Sequence, residues 1–205
     1  MLVTLFDYGA GNLHSLMKAL DGPNVELRVE DDARRAIHTD LLVLPGVGAF
    51  DAAAARLAPG RGSMRDAIRD GLPCIGICLG MQLLFAHSDE GGGEAEGLGV
   101  IGGRVERLRA KRVPQIGWNS LDGARDPLFD AAPLSMAYYA NSYVCRASYP
   151  SQVIAWSSHE EDRFAAAVRV GRTVGVQFHP EKSSAAGVRW LHEAVRAAHH
   201  TGEKA

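Results

Sequence analysis

Between residues 2 and 88 the chain alternates short apolar runs with longer runs of helical periodicity. LVTLF (2–6), VELRV (25–29), LLVL (41–44) and CIGI (74–77) read as strands. LHSLMKAL (13–20), AFDAAAARL (49–57), SMRDAIRDG (63–71) and MQLLFAHS (81–88) read as helices. A βαβ rhythm of this kind admits few architectures, and the expected one is a parallel sheet covered by helices on both faces. From about residue 98 to 178 the character changes. GLGVIGGRVERL, RVPQIGWNSL, LSMAYYA, VIAWSS, RFAAAVRV and TVGVQF are strand-like and separated by turn residues. They are expected to add antiparallel strands and hairpins to the sheet. SSAAGVRWLHEAVRAAHH (183–200) reads as a closing helix. The Gly- and Glu-rich DEGGGEAEG (89–97) reads as a flexible surface loop, and the last five residues as frayed. The expected fold class is therefore α/β: one domain over residues 1–205, with a mixed, mostly parallel sheet and neither linker nor repeat.

Composition narrows the function classes. The 205 residues are 46% hydrophobic and 22% charged, with a net charge of −2, which suits a soluble globular chain with a sizeable core. There is no long basic stripe, so nucleic acid is not an expected partner. Arg104, Arg107, Arg109, Lys111 and Arg112 alternate with apolar residues and read as a solvated strand face. Three cysteines do not make a disulfide framework and point to a reducing cytosol. No run of eighteen apolar residues exists to span a membrane. The N-terminal run is too short for a signal peptide and lacks a basic flank.

The chemistry starts at PCIGICLGMQLL (73–84). Open α/β sheets bind ligands at the carboxyl ends of their strands. Cys78 falls at such an end, between Gly76 and Gly80, where a helix should begin. Gly-x-Cys-x-Gly has the form of a nucleophile elbow with cysteine in place of serine. A sharp strand-to-helix turn crowds the residues two away from the nucleophile, and glycine removes the clash. A helix N-terminus favours the thiolate, and the Leu79 N–H points toward the charge that develops on attack. The structural alternative is a buried cysteine in a glycine-rich turn, and that is the reading given to Cys74 and Cys145.

A base is available in GVQFHPEKS (175–183). In an extended segment residues i and i+2 point the same way, so His179 and Glu181 are expected to project together from a strand end. Pro180 limits flexing between them. His179 would take the thiol proton and return it to a leaving amine, with Glu181 orienting the ring. The alternative is a surface His and Glu. No His-Glu-x-x-His or Cys-x-x-Cys is present, so neither a metal nor another cofactor is expected. Gly9 and Gly11 make half of a dinucleotide fingerprint, with His14 where the third glycine would stand, and read as a tight turn.

Together these residues resemble the class I, triad-type glutamine amidotransferases, whose fold is flavodoxin-like. Gly76-Ile77-Cys78-Leu79-Gly80-Met81-Gln82 is similar to their nucleophile motif, His179-Pro180-Glu181 to their His-x-Glu motif, and Pro45-Gly46-Val47-Gly48 to their oxyanion loop. Asp7-Tyr8-Gly9-Ala10-Gly11-Asn12, Ile116-Gly117-Trp118-Asn119 and His179-Pro180-Glu181-Lys182-Ser183 further resemble the glutaminase subunits of imidazole glycerol phosphate synthases. The resemblance runs from about residue 3 to 195.

It implies glutamine hydrolysis through a γ-glutamyl thioester on Cys78, with ammonia passed through a tunnel to a separate (β/α)₈ cyclase subunit in histidine biosynthesis. It implies an oxyanion hole from the N–H groups of Val47 and Leu79, and a glutamine pocket at Gly46, Gly48, Gln82, Ser142 and Tyr143. It also implies a partner interface or gate at Asn12, Trp118, Tyr138 and Lys182. A Gly46–Val47 peptide that flips when the partner binds its ligand would switch activity on. Family members often carry histidine where this chain has Gln115 and Asn141. The rivals are a glutaminase serving another synthase, a free-standing γ-glutamyl cysteine hydrolase, and a non-catalytic relative.

Overall fold

The computed structural model describes residues 1–9, 13–92 and 95–200, the last two without their side chains. The first half runs β1 (Leu2–Phe6), α1 (His14–Leu20), β2 (Glu26–Glu30), α2 (Ala33–Ala36), β3 (Leu41–Leu44), α3 (Phe50–Leu57), α4 (Arg61–Arg69), β4 (Cys74–Ile77), α5 (Leu79–Leu83) and β5 (Phe85–Ser88). The second half runs β6 (Ile101–Arg107), β7 (Gln115–Ser120), α6 (Pro127–Ala131), β8 (Met136–Asn141), β9 (Tyr143–Ala147), β10 (Val153–His159), β11 (Asp162–Val170), β12 (Thr173–Val176) and α7 (Ser184–His200).

The main sheet has the order β10-β11-β12-β4-β3-β1-β2. Strands β12, β4, β3, β1 and β2 are parallel, while β11 and β10 turn back antiparallel on one edge. Alternate side chains along each central strand serve opposite cores. Leu41, Val43, Ile75 and Ile77 join Trp190, Leu191 and Phe178 on one face. Leu42 and Leu44 join Phe50, Leu57 and Met64 on the other. Strands β3 and β4 are buried at every position because helices cover both faces.

Three expectations need correction. MQLLFAHS is not one helix: α5 stops at Leu83, and Phe85–Ser88 is strand β5, parallel to β6. The returning Gly97–Ile101 segment takes the carbonyls that a longer helix would use, with Leu98 N–H on Leu83, Val100 N–H on Leu84 and Gly97 N–H on Ala86. The later strands do not all extend the main sheet, for β5-β6-β9 form a second sheet and β7-β8 a two-stranded ribbon. The 89–97 segment, outside undescribed residues 93 and 94, is anchored. The Glu90 carboxylate caps α3 by accepting from the Phe50 N–H at 2.9 Å, and Arg61 pairs with Glu96 at 2.5 Å. Helices α2 and α6 come in addition to the expected elements. Asp32 and Asp126 cap them by accepting from Arg34 N–H and Leu128 N–H, and Pro127 opens the second.

Candidate active site

The parallel order β12-β4-β3-β1 sets four loops side by side at the carboxyl ends of these strands, as the position of a ligand site in an open sheet requires. Cys78 follows β4 directly with φ +47° and ψ −102°, a strained backbone for a residue with a side chain. The turn is pinned: the Cys78 N–H donates to the Val176 carbonyl at 2.6 Å, and its own carbonyl accepts from the Gln82 N–H at 3.1 Å. The flanking glycines are forced by contact. A Cβ on Gly80 would lie 2.0 Å from the Leu44 carbonyl oxygen, and one on Gly76 would lie 2.7 Å from that of Gly80.

His179 leaves β12 beside the elbow. Its Nδ1 lies 2.8 Å from Glu181 Oε1, both side chains are buried, and the ring interacts electrostatically with the Cys78 side chain. The segment is not extended as expected, because Pro180–Lys182 forms a 3₁₀ turn. The tight turn, rather than strand alternation, carries Glu181 back under the imidazole. Burial works against a charged His179. The negative charge on Cys78, the hydrogen bond to it and the Glu181 contact outweigh burial and raise its pKa to about 10. The arrangement thus favours a charged imidazolium held between the sulfur and a carboxylate.

A cavity of about 230 Å³ opens over this pair. Gly46, Val47, Gly48, Leu79, Gln82, Ser142, Tyr143 and Lys182 line it together with Cys78 and His179. A Cβ on Gly46 would meet the Ile77 carbonyl oxygen at 2.8 Å and His179 Cε1 at 3.1 Å, so the loop after β3 is wedged against the elbow. The Tyr8 hydroxyl donates to the Pro45 carbonyl and ties that loop down from β1. Gln82 Nε2 donates to the Tyr143 carbonyl at 3.1 Å, fixing the far wall. Cys74 and Cys145 are fully buried, and burial pushes both thiols well above the usual range.

Trp118 and Tyr138 are opposite each other across the β7–β8 ribbon, with rings edge-to-face at 6.4 Å, outside the cavity. Lys182 is exposed at its rim. Asn12 lies outside the described residues. Gln115 and Asn141, where the family often has histidine, are direct cross-strand partners. Each leaves its buried side-chain oxygen unpaired among the described residues.

Two residues at the site, Glu90 and Gln177, had no signal in the motifs, and a third, Ser183, stood in a motif that gave it no role. Glu90 reaches the cavity wall from the glycine-rich loop. Ser183 is buried behind His179; its hydroxyl donates to the His179 carbonyl at 2.6 Å and accepts from the Tyr138 N–H at 2.9 Å. Gln177 is fully buried beside Cys78. Contacts of this kind join distant parts of the chain, so no local spacing announces them.

A family model described as glutamine amidotransferase class-I matches residues 4–196. The chain belongs to that family. Among curated relatives, the imidazole glycerol phosphate synthase subunit HisH of Leifsonia xyli is 40% identical over 92% of this chain and 95% of its own. The HisH subunit of Symbiobacterium thermophilum is 44% identical over 92% and 91%. Among solved structures, a glutamine amidotransferase from Thermotoga maritima superposes with a TM-score of 0.63 at 18% identity, covering 100% of this chain and 85% of that one. At that identity the last comparison supports only the amidotransferase fold. Among the described residues no helix is long and apolar enough to cross a membrane.

Proposed function

We infer that this chain is the glutaminase subunit of an imidazole glycerol phosphate synthase, folded as one amidotransferase domain and working in the cytoplasm. One observation carries the reaction. Cys78 and His179 line one cavity and interact with each other, and the Glu181 carboxylate hydrogen-bonds the imidazole.

The Cys78 thiolate adds to the carboxamide carbon of glutamine. Negative charge moves onto the amide oxygen, where the N–H groups of Val47 and Leu79 receive it. The His179 imidazolium gives its proton to the departing nitrogen. The carbon–nitrogen bond breaks, ammonia leaves, and a γ-glutamyl thioester remains. Water then gives a proton to neutral His179 as it attacks the thioester, and collapse releases glutamate and the Cys78 thiolate. Glu181 keeps the ring oriented through both halves.

Gly46, Gly48, Gln82, Ser142 and Tyr143 form the glutamine pocket, and the Glu90 carboxylate on its wall suits the substrate ammonium. The ammonia passes to a separate cyclase subunit, which makes imidazole glycerol phosphate and an aminoimidazole carboxamide ribotide. Trp118, Tyr138 and Lys182 face that subunit. The HisH names of the relatives support a synthase partner, and the apolar outer face of the β7–β8 ribbon supports where it docks.

The test is glutamate release by this chain, alone and with the cyclase and its nucleotide ligand. We expect activation by the liganded partner and a loss on the order of 10⁴-fold or more in Cys78→Ala. Equal rates with and without the partner would point to a free-standing hydrolase.

A further inference from the structure

Gln177 follows β12, and its own N–H continues the ladder by donating to the Ala166 carbonyl at 2.9 Å. Its side chain is fully buried. Nε2 lies 3.5 Å from Cys78 Sγ and donates to it. Oε1 has no hydrogen-bond partner among the described residues. A buried amide with half of its hydrogen-bonding capacity unmet costs stability that a methionine or leucine of similar size would not. Such a residue is hard to explain by packing and simple to explain by what its other half touches.

Alternation along the strand strengthens the case. Val176 and Phe178 point into one hydrophobic core, whereas Gln177 and His179, two residues apart, both reach Cys78. His179 lines the cavity and Gln177 does not. The sulfur therefore has an imidazole on its substrate side and an amide N–H behind it.

We propose that Gln177 is a positioning residue for the nucleophile, whose amide N–H holds Cys78 Sγ as a thiolate and in the rotamer that faces the substrate. A hydrogen bond from a neutral donor to a charged acceptor is stronger than to a neutral one, so the contact favours the charged sulfur. It exists before glutamine enters and is lost when the thioester forms. The unpaired Oε1 is then the cost of aiming the donor.

The inference rests on Cys78 being the nucleophile of the proposed reaction. Its test reads the sulfur directly and needs neither glutamine nor a partner, so it stands apart from the synthase assignment. The probe is iodoacetamide, with mass spectrometry following the Cys78 peptide across pH in the wild type, Gln177→Met and Gln177→Leu. The other ionisable groups around Cys78 are unchanged in these variants: His179 with Glu181 behind it, Tyr8, Cys145, and Glu90 and Lys182 across the cavity.

The methionine variant removes the donor at nearly constant volume. The leucine variant removes the donor with a branched side chain, which keeps the test readable if methionine does not fold. We expect both to alkylate at pH 7 about tenfold or more slowly, with the rate profile moved to higher pH. Glutamine turnover should lose kcat with little change in KM. A wild-type alkylation profile in both variants overturns the proposal. So does slowing in one variant but not in the other, since both lack the amide N–H.

Discussion

The strand-end corner around Cys78 and the β7–β8 ribbon lie next to each other and are built on opposite terms. At the corner every surface is covered: Cys78 is 5% exposed and His179 1%. On the ribbon, one face holds Gln115, Asn141, Tyr139 and Ala137 inward, while Ile116, Trp118 and Met136 point out at 68%, 52% and 50% exposure. Exposed apolar residues clustered on one face mark an interaction surface, whereas a strained and buried turn marks a reacting one. The two regions meet at Tyr138. Tyr138 presents its ring beside Trp118, and its backbone both accepts from the His179 N–H at 2.8 Å and donates to Ser183. Anything that docks on the ribbon therefore bears on the segment that holds His179, the proposed catalytic base.

If the corner is rigid and the ribbon is a free surface, substitutions in each should fail in different ways. The largest effect is expected from Gly80→Ala. Its new Cβ would meet the Leu44 backbone oxygen at 2.0 Å, and backbone atoms of a central strand cannot step aside. We expect a loss of about 3 kcal/mol in denaturant unfolding, together with loss of activity. A midpoint within error of the wild type would mean that the elbow is slacker than its contacts imply.

Trp118→Ala should do the reverse. The side chain is half exposed on the ribbon, so unfolding should shift by no more than about 0.5 kcal/mol. Affinity for the proposed cyclase partner, read by calorimetry, should fall by about 2 kcal/mol, close to thirtyfold. Unchanged affinity would remove the ribbon from the interface and leave its apolar face without a role.

The same contrast explains what could be read in the sequence. The corner was legible because its constraints are local. Gly76 and Gly80 flank Cys78 in the chain, and Pro180 and Glu181 adjoin His179. The parallel strands were legible for the same reason, since apolar runs such as Leu41–Leu44 report burial on both faces. The rest depends on partners remote in the chain. Phe85–Ser88 has helical periodicity and becomes a strand because residues 97–101 return to claim its neighbours' carbonyls. Glu90 reads as loop and becomes cavity wall because Phe50 needs a cap. Ser183 belongs to a recognisable motif, but its bonds to Tyr138 and His179 appear only when the ribbon closes.

The smallest expected effect concerns the charge that the corner holds. Burial alone would keep His179 neutral, and the Cys78 charge, with its hydrogen bond, is the first cause that reverses this. In the folded protein His179 stays protonated to about pH 10, against about 6.5 in the unfolded chain. Its proton thus contributes stability that is complete below about pH 6.5 and is lost as pH rises through about 10. Cys78→Ala removes the thiolate and leaves burial opposed by Glu181 alone. The imidazole titration, followed by NMR, should then move down by about one unit or more, and the alkaline loss of stability should shrink with it. An unmoved midpoint would assign the raised pKa to Glu181 and would dissolve the ion pair on which the proposed first step depends.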